Sequence, residues 1–107
     1  MKVINIAVWG LGRHALVRIL PAIKAFKRLS LIGVCSRNEK IVIKTASELN
    51  CNGWTSPEIM LNDPKIDVIY ISTPIGIHKS QVFRALKAGK HVWCEKPMST
   101  NLADSEA

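Results

Sequence analysis

Gly10-x-Gly12-x-x-Ala15 is the spacing in this sequence best suited to holding an anion. Gly10 would make a tight turn, Gly12 would let the backbone approach a pyrophosphate with no Cβ in the way, and Ala15 would let a helix pack close to a sheet. The free N–H groups and positive dipole end of that helix favour a bound phosphate. The motif therefore reads as a dinucleotide-binding fingerprint in its alanine-ended form, provided a buried strand precedes it and an amphipathic helix follows. About 20 residues on, an acid usually accepts from both ribose hydroxyls of NAD. Ser36-Arg37-Asn38 stands at the corresponding place, and no carboxylate occurs until Glu39. A guanidinium pairs bidentately with a 2'-phosphate and Ser36 can add a hydrogen bond, so the reading favours NADP(H) over NAD(H). Its rival is Arg37 as a solvated turn residue.

Three further places raise the question of chemistry. Ser72-Thr73-Pro74 closes an apolar run, where ligands of open α/β sheets bind, although a plain turn has the same composition. His78 falls in the first turn of the helix that follows, with a structural or capping role as open to it as a catalytic one. His91-Val92-Trp93-Cys94 then runs straight into Glu95-Lys96-Pro97 rather than into a turn of Gly, Asn or Ser.

These residues need elements to position them. Val3–Trp9 is nearly all apolar and rich in branched residues, as expected of a strand covered on both faces. Ala15, Leu16, Ile19, Leu20, Ile23 and Phe26 repeat at helical spacing, leaving Arg18, Lys24 and Lys27 to water. Pro21 removes a hydrogen bond from that helix and should kink it or break it in two. Leu31–Cys35 reads as a second strand, 39–49 as a helix presenting Ile41, Val42, Thr45, Ala46 and Leu49 to the sheet, and Trp54-Thr55 as a short third strand. A small helix capped by Ser56 follows, with Pro57 in its first turn and Asp63-Pro64 at its end. Asp67–Ser72 is the fourth strand. A helix from about Ile77 to Ala88 should bury Val82, Phe83 and Leu86, with Gly89 as its stop, and His91–Cys94 is the fifth strand. Strands alternating with helices through short links imply right-handed crossovers and an α/β fold with a doubly wound parallel sheet.

The chain has 107 residues, 48% of them hydrophobic and 21% charged, which suits one domain with a single core. Neither a secretory leader nor a membrane span is legible, and a cytoplasmic location is expected. Cys35, Cys51 and Cys94 are odd in number and lack metal-site spacing, so reduced space-filling thiols are expected. The net charge of +7 is spread along the sequence, with small clusters at Lys24, Lys27, Arg28 and at Lys87, Lys90 near the ends of expected helices. No nucleic-acid-binding pattern accompanies it, and an anionic cofactor is the simpler partner. Ser99 or Thr100 starts a helical pattern that Leu102, Ala103 and Glu106 continue without a stop signal. The expectation is a fragment, 1–107, of a longer protein.

"VWGLGRHA" together with "DVIYISTPIGIHKSQVFRALKAGKHVWCEKPMS" closely resembles the Gfo/Idh/MocA oxidoreductases over essentially the whole chain. The resemblance implies a Rossmann-fold NAD(P)-binding domain of an enzyme acting on sugars, polyols or related hydroxyl compounds. It also implies a second α/β domain carrying most substrate contacts, and a homo-oligomer for the full-length protein. By the same resemblance Gly10, Leu11, Gly12, Arg13 and His14 fall in the cofactor phosphate loop, Ser36 and Arg37 at the adenosine ribose, and Ser72, Thr73, Pro74 and His78 along the cofactor edge. Glu95, Lys96 and Pro97 match the family's EKP signature, whose lysine lies near the reacting carbon. Ile75 departs from the Asn often found at its place, which removes a polar contact from that loop. An ammonium beside the substrate oxygen could donate or take the hydroxyl proton and stabilise developing charge, with Glu95 positioning it or touching the nicotinamide ribose. An exposed Glu95–Lys96 ion pair is the bland alternative. A cofactor-sensing regulatory protein, or a freestanding nucleotide-binding module, are the other functions open on this fold. A fragment of this kind should bind cofactor better than it turns over substrate.

Overall fold

A computed structural model describes residues 3–73 and 75–94. Five strands, β1 (Ile4–Trp9), β2 (Leu29–Cys35), β3 (Asn52–Trp54), β4 (Val68–Ile71) and β5 (His91–Cys94), form one sheet in the order β3-β2-β1-β4-β5. Every pairing is parallel. That is the order of a doubly wound sheet: the chain moves outwards from β1 to β3, crosses back, and moves outwards the other way through β4 and β5. The reversal lies between β1 and β4, and the crevice beside it is where such folds bind ligands. The expected fold class is the observed one.

Right-handed crossovers put the helices on two faces. Helix α1 is π-helical over Ala15–Ile19 and α-helical over Leu20–Ala25, and α2 spans Glu39–Leu49. Both pack on one face, where Ala15, Leu20, Ile23 and Val42 are buried with Ile6, Val8, Val34 and Val68 of the strands. Helices α3 (Pro57–Leu61) and α4 (Ile75–Lys87) cover the other face. There Met60, Leu61 and Ala85 pack on Ala7, Trp9, Cys35, Ile69 and Ile71. Because the β4–β5 crossover lies on that second face, Tyr70 and Trp93 on the first are left beside α1 with an apolar groove of about 300 Å³.

Pro21 acts through a change of helix type rather than a simple kink. The Leu20 N–H reaches back to the Ala15 carbonyl, five residues away, and the wider turn makes room for the proline ring at the start of the α-helical stretch. A π-turn also shifts the phase of the apolar stripe. Leu16 is consequently exposed, as is Phe26, which follows the helix, while Ala15, Leu20 and Ile23 remain inside. The α4 expectation needs a similar correction, since Phe83 (64% exposed) and Leu86 (56%) face outwards and Gln81 and Ala85 face the sheet. Ala85 allows close approach, and the Thr73 hydroxyl hydrogen-bonds the Gln81 side-chain carbonyl, which turns that side of α4 inwards.

The shorter elements shift by small amounts. β2 begins two residues early at Leu29, β3 is Asn52–Trp54 rather than Trp54-Thr55, and α4 begins at Ile75. Asn38 caps α2, its side chain accepting from the Ile41 N–H at 3.2 Å, and Asn50 ends it in the left-handed region. Ser56 stands at the N-cap of α3 without a side-chain hydrogen bond, and α3 stops at Leu61, ahead of Asp63-Pro64.

Two lysines assigned from sequence to the ends of their own helices serve their neighbours instead. The Lys24 ammonium donates to the Leu49 carbonyl at the end of α2 (3.3 Å). Buried Lys90 donates to the Asp63 and Ile66 carbonyls of the turn after α3 (2.6 and 2.9 Å). Cys35 and Cys51 are free thiols, and burial raises the Cys35 pKa to about 11, so it stays protonated and inert near neutrality. No helix among the described residues is long and apolar enough to cross a membrane, and they contain no group of metal-ligating side chains. The expected helix start at Ser99 or Thr100 lies outside the described residues, as does residue 97.

Candidate functional site

Strand register builds the site. Trp54, Cys35, Trp9, Ile71 and Cys94 are cross-strand partners in one row, and each is the last residue of its strand. The residues that follow this row in sequence are the candidates: Gly10-Leu11-Gly12 after β1, Ser36-Arg37 after β2, Ser72-Thr73 after β4. Glu95-Lys96 follow the same row in sequence after β5, but they lie outside the described residues, as does Pro74. A parallel sheet thus gathers dispersed sequence segments onto one carboxyl edge.

The Gly10 backbone holds the tightest corner. Its N–H donates to the Cys35 carbonyl (2.8 Å), its φ is +108°, and a Cβ built there would lie 2.7 Å from the Thr73 methyl and 2.9 Å from the Ser72 carbonyl group. No other residue fits between the ends of β1 and β4. Gly12 is different, because a Cβ there would meet nothing within 4 Å. Packing of the described residues therefore does not require glycine at 12. The first turn of the helix starts here, with the Leu16 N–H bonded to the Gly12 carbonyl (3.1 Å), so the positive end of the helix lies at this corner.

A cleft of about 570 Å³ opens along this edge. It brings together Gly10, Leu11, Gly12, Ser36, Arg37, Ser72 and Thr73. Leu11 is buried, and Ser36 Oγ accepts from the Asn38 N–H (3.1 Å), which shapes the turn but leaves the hydroxyl proton able to donate outwards. Arg37 is exposed at its rim. Arg13 and His14 are on the exposed first turn of the helix and are not among the described residues lining the cleft. His78 lies near the start of α4, with only its backbone described.

Sequence reasoning did not single out Trp9, Asn38, Pro57, Ser80, Gln81 or Arg84, all of which line the cleft. Trp9 stands directly before the fingerprint, 5% exposed, with the Arg84 guanidinium 5.5 Å from its ring centroid. The position of Trp9, immediately before Gly10, was the available signal. Nothing local marks Ser80, Gln81 or Arg84, which reach the cleft because α4 packs behind it. Among the described residues lining the cleft there are two guanidinium groups and no carboxylate. A turn closed by Gly10, open backbone at Gly12, a helix start and this charge balance fit a phosphate-bearing dinucleotide.

Residues 4–107 match the family model of the Gfo/Idh/MocA proteins, described as an oxidoreductase family with an NAD-binding Rossmann fold. The chain belongs to the Gfo/Idh/MocA family. Its described residues are that family's nicotinamide-dinucleotide-binding domain. A dTDP-3,4-didehydro-2,6-dideoxy-alpha-D-glucose 3-reductase of Saccharopolyspora spinosa is 32% identical over 97% of this chain, and the scyllo-inositol 2-dehydrogenase (NAD(+)) of Bacillus subtilis is 30% identical over 97%. In both cases the chain spans about a third of the relative, 31% of its length. The crystal structure of KijD10, a 3-ketoreductase from Actinomadura kijaniata in complex with NADP and TDP-benzene, superposes with a TM-score of 0.89 at 28% identity, covering 98% of this chain and 32% of that one. These Gfo/Idh/MocA relatives are reductases and dehydrogenases of sugar-like compounds.

Proposed function

We propose that this domain is the NADP(H)-binding half of an enzyme that moves a hydride between the nicotinamide and a sugar- or polyol-like hydroxyl or carbonyl carbon. The observation that carries the NADP preference is Ser36-Arg37 at the rim of a cleft whose described lining holds no carboxylate to repel a 2'-phosphate. A carboxylate at the end of β2 would accept from the ribose hydroxyls of NAD and repel the extra phosphate. Arginine reverses that discrimination, because its planar fork matches phosphate oxygens two at a time.

In this reading the pyrophosphate rests against Gly10, Leu11 and Gly12 at the start of α1, and Arg13 and His14 contact it from the exposed first turn. Ser72, Thr73, Pro74 and His78 border the nicotinamide side, and Glu95 orients Lys96 or contacts the adjoining ribose. The bound nicotinamide supplies or accepts the hydride. Lys96 Nζ holds the proton for the substrate oxygen: it donates to a carbonyl oxygen as that oxygen gains charge, or takes the hydroxyl proton in the reverse direction. A free lysine has a pKa of about 10.4, so the basic role requires desolvation or a neighbouring positive charge to lower it. Substrate contacts then come from a second domain of the full-length protein, a proposal supported by the greater length of its relatives.

Arg37→Ala tests the cofactor assignment. In the full-length protein it should weaken NADPH binding by about tenfold or more, the loss of one charge-assisted contact, and leave NADH binding little changed. Equal weakening of both, or tighter NADH than NADPH binding by the unaltered protein, would overturn the preference. The measurement is isothermal titration with each reduced cofactor.

A further inference from the structure

We propose that Arg84 is a second cationic contact for the adenosine 2'-phosphate, reaching it from the α4 side of the cleft that Arg37 borders from the β2 side. This rests on the NADP reading and adds a residue to it. Arg84 lies one helical turn beyond Ser80 and Gln81 on α4, and all three line the cleft with Ser36 and Arg37. Its guanidinium is not a loose surface charge, since it sits 5.5 Å from the centroid of the Trp9 ring, and Trp9 is buried at the end of β1. A face-on aromatic contact of this kind positions the cation while leaving the edge N–H donors of the guanidinium available.

The strand row places that charge near the ribose corner. Trp9 is the cross-strand partner of Cys35, and Cys35 directly precedes Ser36-Arg37. Consistent with this placement, the positive charge of Arg84 partly offsets the effect of burial on the Cys35 thiol. Arg84 also borders a shallow depression containing Glu58 on the outer side of α3 and α4, but that carboxylate is not among the residues lining the cleft. A doubly charged phosphate between Ser36, Arg37 and Arg84 would meet two guanidinium groups of opposite sign to its own. Arg37 supplies the exposed arm, and Arg84, held against Trp9, the pre-positioned one.

The fragments 2',5'-ADP and 5'-AMP separate a phosphate contact from an adenine contact, and titrating both against Arg84→Gln and Arg37→Ala in the full-length protein tests the proposal. Arg84→Gln should weaken 2',5'-ADP about tenfold, the size of a charge-assisted hydrogen bond, with 5'-AMP affinity preserved. Arg84→Lys, which keeps the charge, should recover part of the loss. If Arg84→Gln leaves 2',5'-ADP unaffected while Arg37→Ala weakens it, the proposal fails and the NADP reading stands. If the unaltered protein binds both fragments equally, the NADP reading itself fails. Equal loss of both fragments in Arg84→Gln would make the residue an adenine or packing contact and also overturn the proposal.

Discussion

Lys96→Ala in the full-length enzyme is expected to lower kcat by about 10²–10⁴-fold, the usual contribution of a positioned general acid or base, while NADPH still binds. The expectation starts from where β5 ends. Cys94 ends β5 level with Ile71, Trp9 and Cys35, on the edge along which the cleft opens. Lys96 follows Cys94 by two residues in the sequence. In the proposed function Lys96 carries the proton for the oxygen on the carbon that exchanges hydride. Single-turnover measurement of NADPH oxidation, with NADPH affinity measured alongside, distinguishes loss of chemistry from loss of cofactor. An unchanged single-turnover rate in Lys96→Ala would remove the proposed role.

The two glycines of the fingerprint should behave oppositely. Gly10→Ala places a Cβ 2.7 Å from the Thr73 methyl at a backbone φ of +108°, so backbone strain and overpacking add. A cost of about 2–4 kcal/mol follows, enough to lower the Tm of a domain this size by more than about 8 °C. Gly12→Ala meets open space and should leave the Tm unchanged. Its effect should fall on NADPH affinity, by about tenfold or more, because in the proposed binding mode the added methyl stands where the pyrophosphate approaches the backbone. Thermal melting and cofactor titration of the two variants read this directly. A Gly12→Ala protein that melts as early as Gly10→Ala, or binds NADPH unchanged, would contradict the division of labour.

The fold, and the strand edge on which the candidate residues gather, were legible in the sequence for one physical reason. Doubly covered parallel strands must be nearly continuous apolar runs, and Val3–Trp9 and Asp67–Ser72 are such runs, each ending at a residue type with a distinct chemical use. What the sequence hid depends on three-dimensional phase and packing. A π-helical stretch before Pro21 rotates Leu16 outwards, and helical spacing alone does not announce it. On α4, Phe83 and Leu86 form an apolar pair that reads as a buried face, yet Ala85 and Gln81 take that face because a close helix–sheet approach favours the smaller residue and Thr73 engages Gln81. Arg84 reaches the site through the same rotation. Lys24, bonded to the last carbonyl of α2, follows the charge rule that the sequence suggested, whereas Lys90 ties the turn after α3; their partners are 24 to 27 residues away and no local pattern could name them.

The most direct test of the account is a crystal structure of the full-length protein with NADPH bound. It should place the pyrophosphate against the backbone of Gly10–Gly12 and the 2'-phosphate within hydrogen-bonding distance of Ser36 Oγ and the Arg37 guanidinium. NADPH seated away from the carboxyl edge of β1 and β4, or a 2'-phosphate directed away from the end of β2, would contradict it.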